Sequence, residues 1–173
     1  MDIETDNILK AVKLLLLDVD GVMTRGDIIY DDSGQETKAF NVKDGLGIRL
    51  LAQAGIDIGI VTARRSKALT RRCRDLGIER VYDGVGDKGA VLDRILSETG
   101  VAPDEIAFVG DDLPDLSLMR QIGVPIATAD AHEAVRSLCR MTTAANGGAG
   151  AVREICERIL KSKGLWKPIL NRF

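Results

Sequence analysis

The feature that most constrains this chain is a rhythm in which short apolar runs alternate with longer amphipathic segments. The runs are Val12–Leu17, Ile56–Val61, Arg80–Tyr82, Ile106–Val109 and Val124–Ala127. Between them, apolar residues recur at helical spacing near Gly45–Ala54, Ser66–Leu76, Lys88–Thr99 and Leu113–Gln121. A strand, a helix of about ten residues and a second strand make the right-handed βαβ unit of a parallel sheet. The stretches LLLL and GIDIGIV are apolar on both faces, as strands covered by helices on two sides are. The chain therefore reads as an α/β fold, a doubly wound parallel sheet, and its 173 residues suit a single domain.

One segment breaks the rhythm. Ile28, Ile29 and Tyr30 lie on one side of a turn at Asp32-Ser33-Gly34, and Thr37, Phe40 and Val42 lie on the other. This reads as a β-hairpin insertion over residues 26–42. It separates the first strand from the first sheet-packing helix, where α/β domains carry functional loops, so it is read as a lid or an assembly element. Asn146–Gly150 (NGGAG) reads as a flexible end to the sheet domain, and residues 146–173 as a C-terminal helix and tail. Val152, Ile155, Cys156, Ile159 and Leu160 share one helix face. The segment GLWKPILNRF is expected to order against a partner.

Composition excludes several classes. Lys plus Arg total 24 and Asp plus Glu 26, a net charge of −2, which argues against nucleic-acid binding by bulk charge. No apolar run approaches the roughly 20 residues of a membrane helix. The N-terminal MDIETDNILK lacks the basic and apolar regions of a signal peptide. Cys73, Cys139 and Cys156 are odd in number and widely spaced, which disfavours a zinc site or a disulfide framework. His132 is the sole histidine and reads as a solvated residue near a helix start, so a Cys–His nucleophile has little support.

The chemistry gathers where apolar runs end. Asp18-Val19-Asp20-Gly21-Val22 follows Leu14–Leu17, and Gly110-Asp111-Asp112-Leu113-Pro114-Asp115 follows Ile106–Val109. The carboxyl ends of strands in an open parallel sheet face the ligand crevice. Clustered carboxylates there repel one another unless a cation or a shared proton intervenes, and Mg²⁺ is the simplest hard cation to do so. Asp112 or Asp115 alone reads equally well as a helix cap. Thr62 closes the run Ile56–Val61 with a hydroxyl suited to a phosphate oxygen, and Lys88 opens a helix with a cation suited to neutralising a phosphoryl group.

The order DxDGV, hydrophobic-Thr, Lys and GDDxxD resembles the haloacid dehalogenase superfamily of phosphotransferases. The resemblance implies a Rossmannoid sheet in which Asp18 is the nucleophile and Asp20 the general acid and base, assisted by Thr62 and Lys88. It implies Mg²⁺ held by Asp18, the backbone carbonyl of Asp20 and Asp111, with Asp112 and Asp115 in support. Only 41 residues separate Asp20 from Thr62, too few for a large cap domain. Phe40–Ile48, Gly110–Asp115, Ala127–Ala131 and Gly147–Glu154 look like the 3-deoxy-D-manno-octulosonate 8-phosphate phosphatases.

That narrower resemblance implies a cytoplasmic enzyme of lipopolysaccharide precursor synthesis. It implies a homotetramer joined through the hairpins, and a sugar-acid phosphate as substrate. Its substrate site would be lined by Asp20, Asn41, Val42, Lys43, Asp44, Gly45, Arg49, Arg64, Arg72 and Lys88. Lys43 stands where Arg is common in the family, and Ala63 where Gly is common. Lys is a point charge where Arg is a bidentate fork, so substrate preference can differ. Two other readings stay open: a phosphatase of nine-carbon sugar-acid 9-phosphates, and a non-catalytic receiver-like or binding module.

Overall fold

The computed structural model describes residues 3–173, with side chains from Asp6 onward. Met1 and Asp2 of the N-terminal segment read above lie outside the described residues. The chain begins with a helix that the sequence pattern did not indicate, α1 (Ile3–Ala11), then enters β1 (Leu14–Leu17). Six strands form one parallel sheet in the order β5-β4-β1-β6-β7-β8, with β4 at Asp57–Val61, β5 at Arg80–Tyr82, β6 at Ile106–Gly110, β7 at Val124–Ala127 and β8 at Met141–Thr142. The two-residue strand β8 was not visible in the sequence as a run.

The four leucines of β1 show why such a strand carries no alternation. Leu15 and Leu17 join one apolar cluster, and Leu14 and Leu16 the other; all four are fully buried. The first cluster is closed by α1, α2 (Val42–Gln53), α3 (Lys67–Leu76) and α7 (Ala151–Ser162), through residues such as Ile48, Leu69 and Ile155. The second is closed by α4 (Leu92–Thr99), α5 (Leu116–Met119) and α6 (Glu133–Leu138), through Ile95, Leu118 and Val135. A leucine moved from water to such a site contributes about 1.5–3 kcal/mol. The sheet is thus pinned between two helical layers. Among the described residues no helix is long and apolar enough to cross a membrane.

The hairpin forms but is shorter than the expected 26–42. Its paired strands are β2 (Ile29–Tyr30) and β3 (Glu36–Thr37), antiparallel and separate from the main sheet. Asp31 Oδ1 accepts the amides of Ser33 and Gln35, which shapes the turn. Phe40 and Asn41 lie beyond the pairing, and Val42 opens α2 because the Asn41 side chain caps it by accepting the Lys43 amide. Ile28, Ile29 and Tyr30 remain exposed.

Two expectations about the C-terminal part are corrected. NGGAG is docked: Gly148 N donates to Val22 O at 2.9 Å and Gly147 N to Asp130 Oδ1 at 3.0 Å. A Cβ on Gly147 would sit 1.7 Å from Gly21 O, so glycine serves close approach here. The tail packs on its own chain: α8 (Trp166–Leu170) buries Ile169, and Arg153 and Lys161 lie against the Trp166 ring.

Candidate active site

Register brings three strand ends to one level. Leu17 pairs with both Ile60 and Val109, so Asp18 leaves β1 beside the last residues of β4 and β6. From β1 the sheet grows through β4 and β5 on one side and through β6, β7 and β8 on the other. That reversal of strand order opens a crevice at the carboxyl edge. A pocket of about 280 Å³ lies there, lined by Asp18, Asp20, Thr62, Lys88, Asp111 and their neighbours. Gly21 turns the chain sharply with φ +88, and a Cβ on it would stand 2.0 Å from Asp111 Oδ2.

Lys88 is the hub of the pocket floor. It enters at a short 3-10 turn, Lys88–Val91, capped by the Asp87 carboxylate on the Gly89 amide. Its Nζ lies 2.7 Å from Asp18 Oδ1 and 2.6 Å from Asp115 Oδ1. Burial works against its charge, but Asp18 and Asp115 outweigh it and hold the proton more tightly than usual. Asp115 is buried, and its second oxygen accepts the amides of Asp111 and Asp112. It therefore orients both the lysine and the loop after β6. Asp112 is exposed and caps the turn that follows, accepting the Leu113 amide.

One ammonium pairs with two of three clustered carboxylates. Burial raises Asp18 to about 6, with Lys88 opposing and Asp115 adding to the rise. Burial, Asp18 and Asp115 push Asp111 up to about 8. Asp111 Oδ1 is buried with no hydrogen-bond partner. Oxygens of Asp18, Asp111 and Asp115 lie within 4.8 Å of one another. Carboxylates held this close with a vacant acceptor match the donor set of a hard divalent cation. Both oxygens of Asp115 are already bonded, whereas Lys88 engages only Oδ1 of Asp18 and Asp111 Oδ1 has no partner, so these two carboxylates have an oxygen to spare. Asp20 lines the same pocket but is not one of the three clustered carboxylates.

Asp20 pairs with the hairpin. Lys38, just past β3, pairs through Nζ with Asp20 Oδ1 and lies 2.8 Å from Glu36 Oε1. Arg64 Nη2 lies 2.6 Å from Glu36 Oε2, and its Nε 3.7 Å from Asp20 Oδ2. Sequence reasoning missed Lys38 and Glu36. Their signal was available: an acid and a base two residues apart project to one face of a strand.

The other expected substrate residues lie apart from the pocket. Asn41 lines a second hollow of about 320 Å³ with Thr24, Arg25, Ile29 and Phe40, and its side chain donates to Gly148 O. Arg72 Nη2 donates to Asn41 O at 3.1 Å, over the Phe40 ring and against Gly45. Val42 and Lys43 are exposed at the start of α2. Arg49 donates to Asp75 O at 3.4 Å. Asp44 is buried, and its Oδ1 accepts the Arg153 amide at 2.8 Å, capping α7. Burial raises its carboxyl above the usual range despite that bond and one from the Gly150 amide. Of the expected set, the pocket in one chain gathers Asp18, Asp20, Thr62, Arg64, Lys88, Asp111, Asp112 and Asp115.

Comparison with known proteins agrees with this geometry. The haloacid dehalogenase-like hydrolase family model matches residues 77–155. The 3-deoxy-D-manno-octulosonate 8-phosphate phosphatase KdsC of Yersinia pestis is 44% identical over 149 residues, covering 86% of this chain and 80% of that protein. Its counterpart from Escherichia coli K12 is 41% identical over 164 residues, covering 94% and 87%. The crystal structure of the Moraxella catarrhalis phosphatase of the same name, in complex with magnesium ion, phosphate ion and KDO, superposes with a TM-score of 0.96. It is 40% identical and covers 98% of each chain. A strand-end carboxylate cluster, a buried lysine hub and this likeness over nearly the whole length agree: the chain belongs to the 3-deoxy-D-manno-octulosonate 8-phosphate phosphatase family of haloacid dehalogenase-like hydrolases.

Proposed function

We propose that this protein is a Mg²⁺-dependent phosphatase that hydrolyses 3-deoxy-D-manno-octulosonate 8-phosphate to the free sugar acid and phosphate, a step of lipopolysaccharide precursor synthesis. The observation that carries the reading is the pocket floor: Asp18 and Asp115 paired with one lysine, and beside them Asp111 with a buried oxygen left without a partner. Asp18 and Asp111, with the Asp20 carbonyl, would hold Mg²⁺. When bound, the ion neutralises the carboxylates and the phosphoryl oxygens, so that an anionic ester can approach an anionic nucleophile.

The chain's own residues supply the rest. Asp18 attacks phosphorus and becomes an aspartyl-phosphate. Lys88 stays bonded to Asp18 and Asp115 and presents a fixed positive charge to the transferring group. The Thr62 hydroxyl and the Arg64 amide, 3.4 Å apart, stand at the phosphoryl end of the crevice. Asp20 gives a proton to the departing sugar alkoxide, then takes one from the water that cleaves the intermediate.

The sugar carboxylate calls for cations and backbone amides. Arg64 lies in the pocket, whereas Asn41–Gly45, Arg49 and Arg72 form a separate patch. In our reading that patch completes the site of a neighbouring copy in a homotetramer joined through the hairpins. The exposed Ile28, Ile29 and Tyr30 support it, since apolar side chains gathered on one exposed element mark association surfaces. A phosphorylated substrate and three free cysteines fit the cytoplasm. Phosphate release with Mg²⁺ from the eight-carbon and nine-carbon sugar-acid phosphates tests the assignment. A higher kcat/KM for the eight-carbon ester is expected; preference for the nine-carbon ester would move the substrate and keep the chemistry. Release from neither would overturn the reading.

A further inference from the structure

Lys38 belongs to none of the strand-end motifs, yet its side chain is only 3% exposed. Lysine is seldom so buried unless paired, and here it sits in a ring of four charges. Lys38 bridges Asp20 Oδ1 and Glu36 Oε1; Arg64 bridges Glu36 Oε2 and approaches Asp20 Oδ2. The ring treats the two oxygens of Asp20 differently. Oδ1 is engaged by the ammonium, whereas Arg64 Nε stands 3.7 Å from Oδ2, beyond hydrogen-bond distance. An ammonium has hydrogens to donate and nothing to accept with. Oδ1 is therefore committed to Lys38, and Oδ2 is the oxygen left open.

We propose that Lys38 is a positioning residue for the Asp20 carboxyl: by holding Oδ1 it fixes the side chain and leaves Oδ2 as the oxygen open to the reacting ester. This rests on the reading of Asp20 as general acid and base. In the first half-reaction the Oδ2 proton passes to the ester oxygen, which keeps the electron pair of the breaking P–O bond while Asp18 forms its bond to phosphorus. In the second, Oδ2 takes a proton from water as the water oxygen bonds to phosphorus and the Asp18–phosphorus bond breaks. Both carboxyl groups then return to their starting states. The hairpin, on this account, is wired to the chemistry of its own chain through Lys38 and Glu36.

The test is the dependence of kcat/KM on leaving-group basicity across dinitrophenyl, nitrophenyl and phenyl phosphates. This parameter covers the steps through P–O cleavage and excludes hydrolysis of the intermediate. A dinitrophenolate departs without a proton, whereas phenolate needs one. Lys38→Met is expected to lose about 10–100-fold with phenyl phosphate and no more than about threefold with the dinitrophenyl ester. Lys38→Arg, which keeps a donor, is expected to recover most of the loss, and Lys38→Gln gives a second removal of the ammonium should Lys38→Met fail to fold. An equal loss across the series, or none, would overturn the proposal, because a structural or phosphate-binding role lowers every ester alike. Asp20→Asn is measured beside them. A graded loss there with none in the Lys38 variants overturns the role of Lys38 alone. No gradation in Asp20→Asn overturns the general-acid reading itself.

Discussion

Asp111→Asn is expected to stabilise the metal-free protein while removing its response to Mg²⁺. The side chain of Asp111 makes no hydrogen bond through its buried Oδ1, so an isosteric amide gives up little. Its carboxyl is raised from 3.8 to about 8 by burial and by Asp18 and Asp115. Below the lower value both folded and unfolded chains hold the proton, and the group has no effect. Between the two values the unfolded chain is ionised while the folded chain retains the proton. Stability then falls as pH rises, by about 1.4 kcal/mol per pH unit for a fully realised shift. Asp111 is half-buried, and solvent screening leaves roughly 2–3 kcal/mol of the penalty at pH 8. The assay is urea unfolding of both proteins in chelator and in Mg²⁺, from pH 4 to pH 8. In chelator, Asp111→Asn is expected to be the more stable protein at pH 8, with the gap closing toward pH 4. Saturating Mg²⁺ at about a hundred times its Kd adds about 2.7 kcal/mol to the wild type, and nothing comparable to the variant. A variant less stable than the wild type at pH 8 without metal, or one that Mg²⁺ still stabilises, would refute the reasoning.

Asp18→Asn removes the nucleophile and is expected to lower turnover about a thousandfold or more in a phosphate-release assay; near-normal turnover would contradict the covalent route. Gly147→Ala drives a methyl group into Gly21 O, at 1.7 Å in the present backbone, and is expected to cost about 1–3 kcal/mol in unfolding experiments. Because Gly21 adjoins Asp20, kcat should fall as well, and a variant of wild-type stability and rate would show that the contact is dispensable. Ile29→Asp places a charge on the exposed hairpin face and is expected to shift the mass in light scattering from a tetramer toward 18.7 kDa; a wild-type mass already at that value would refute hairpin-mediated assembly.

The strand-end motifs were legible because the physics that builds them is local. An apolar run must end where the chain leaves the sheet, and carboxylates placed at that point, as at Asp18 and Asp111, fall into the crevice whatever the rest of the chain does. The same locality hid other features. The bond from the Arg153 amide to Asp44 was out of reach of a local reading, because the two lie 109 residues apart. NGGAG looked flexible because glycine permits both mobility and close approach, and only the position of Gly21 decides between them. The pairing of β8 rests on two residues, too few for a periodic signal. Lys38 and Glu36 were passed over because a polar strand in a surface hairpin carries no mark of which side the hairpin folds toward. The ring of charges with Asp20 and Arg64 exists only once the hairpin has folded back over the crevice.

The central claim is that the phosphoryl group passes through Asp18. Its most direct measurement is a rapid quench of the Asp20→Asn variant with radiolabelled dinitrophenyl phosphate, whose leaving group needs no proton, followed by borohydride reduction and peptide mapping. The account expects nearly one phosphoryl group per chain, carried on the peptide that contains Asp18 and converting that residue to homoserine on reduction. No trapped phosphoryl group, or one carried on another residue, would contradict it.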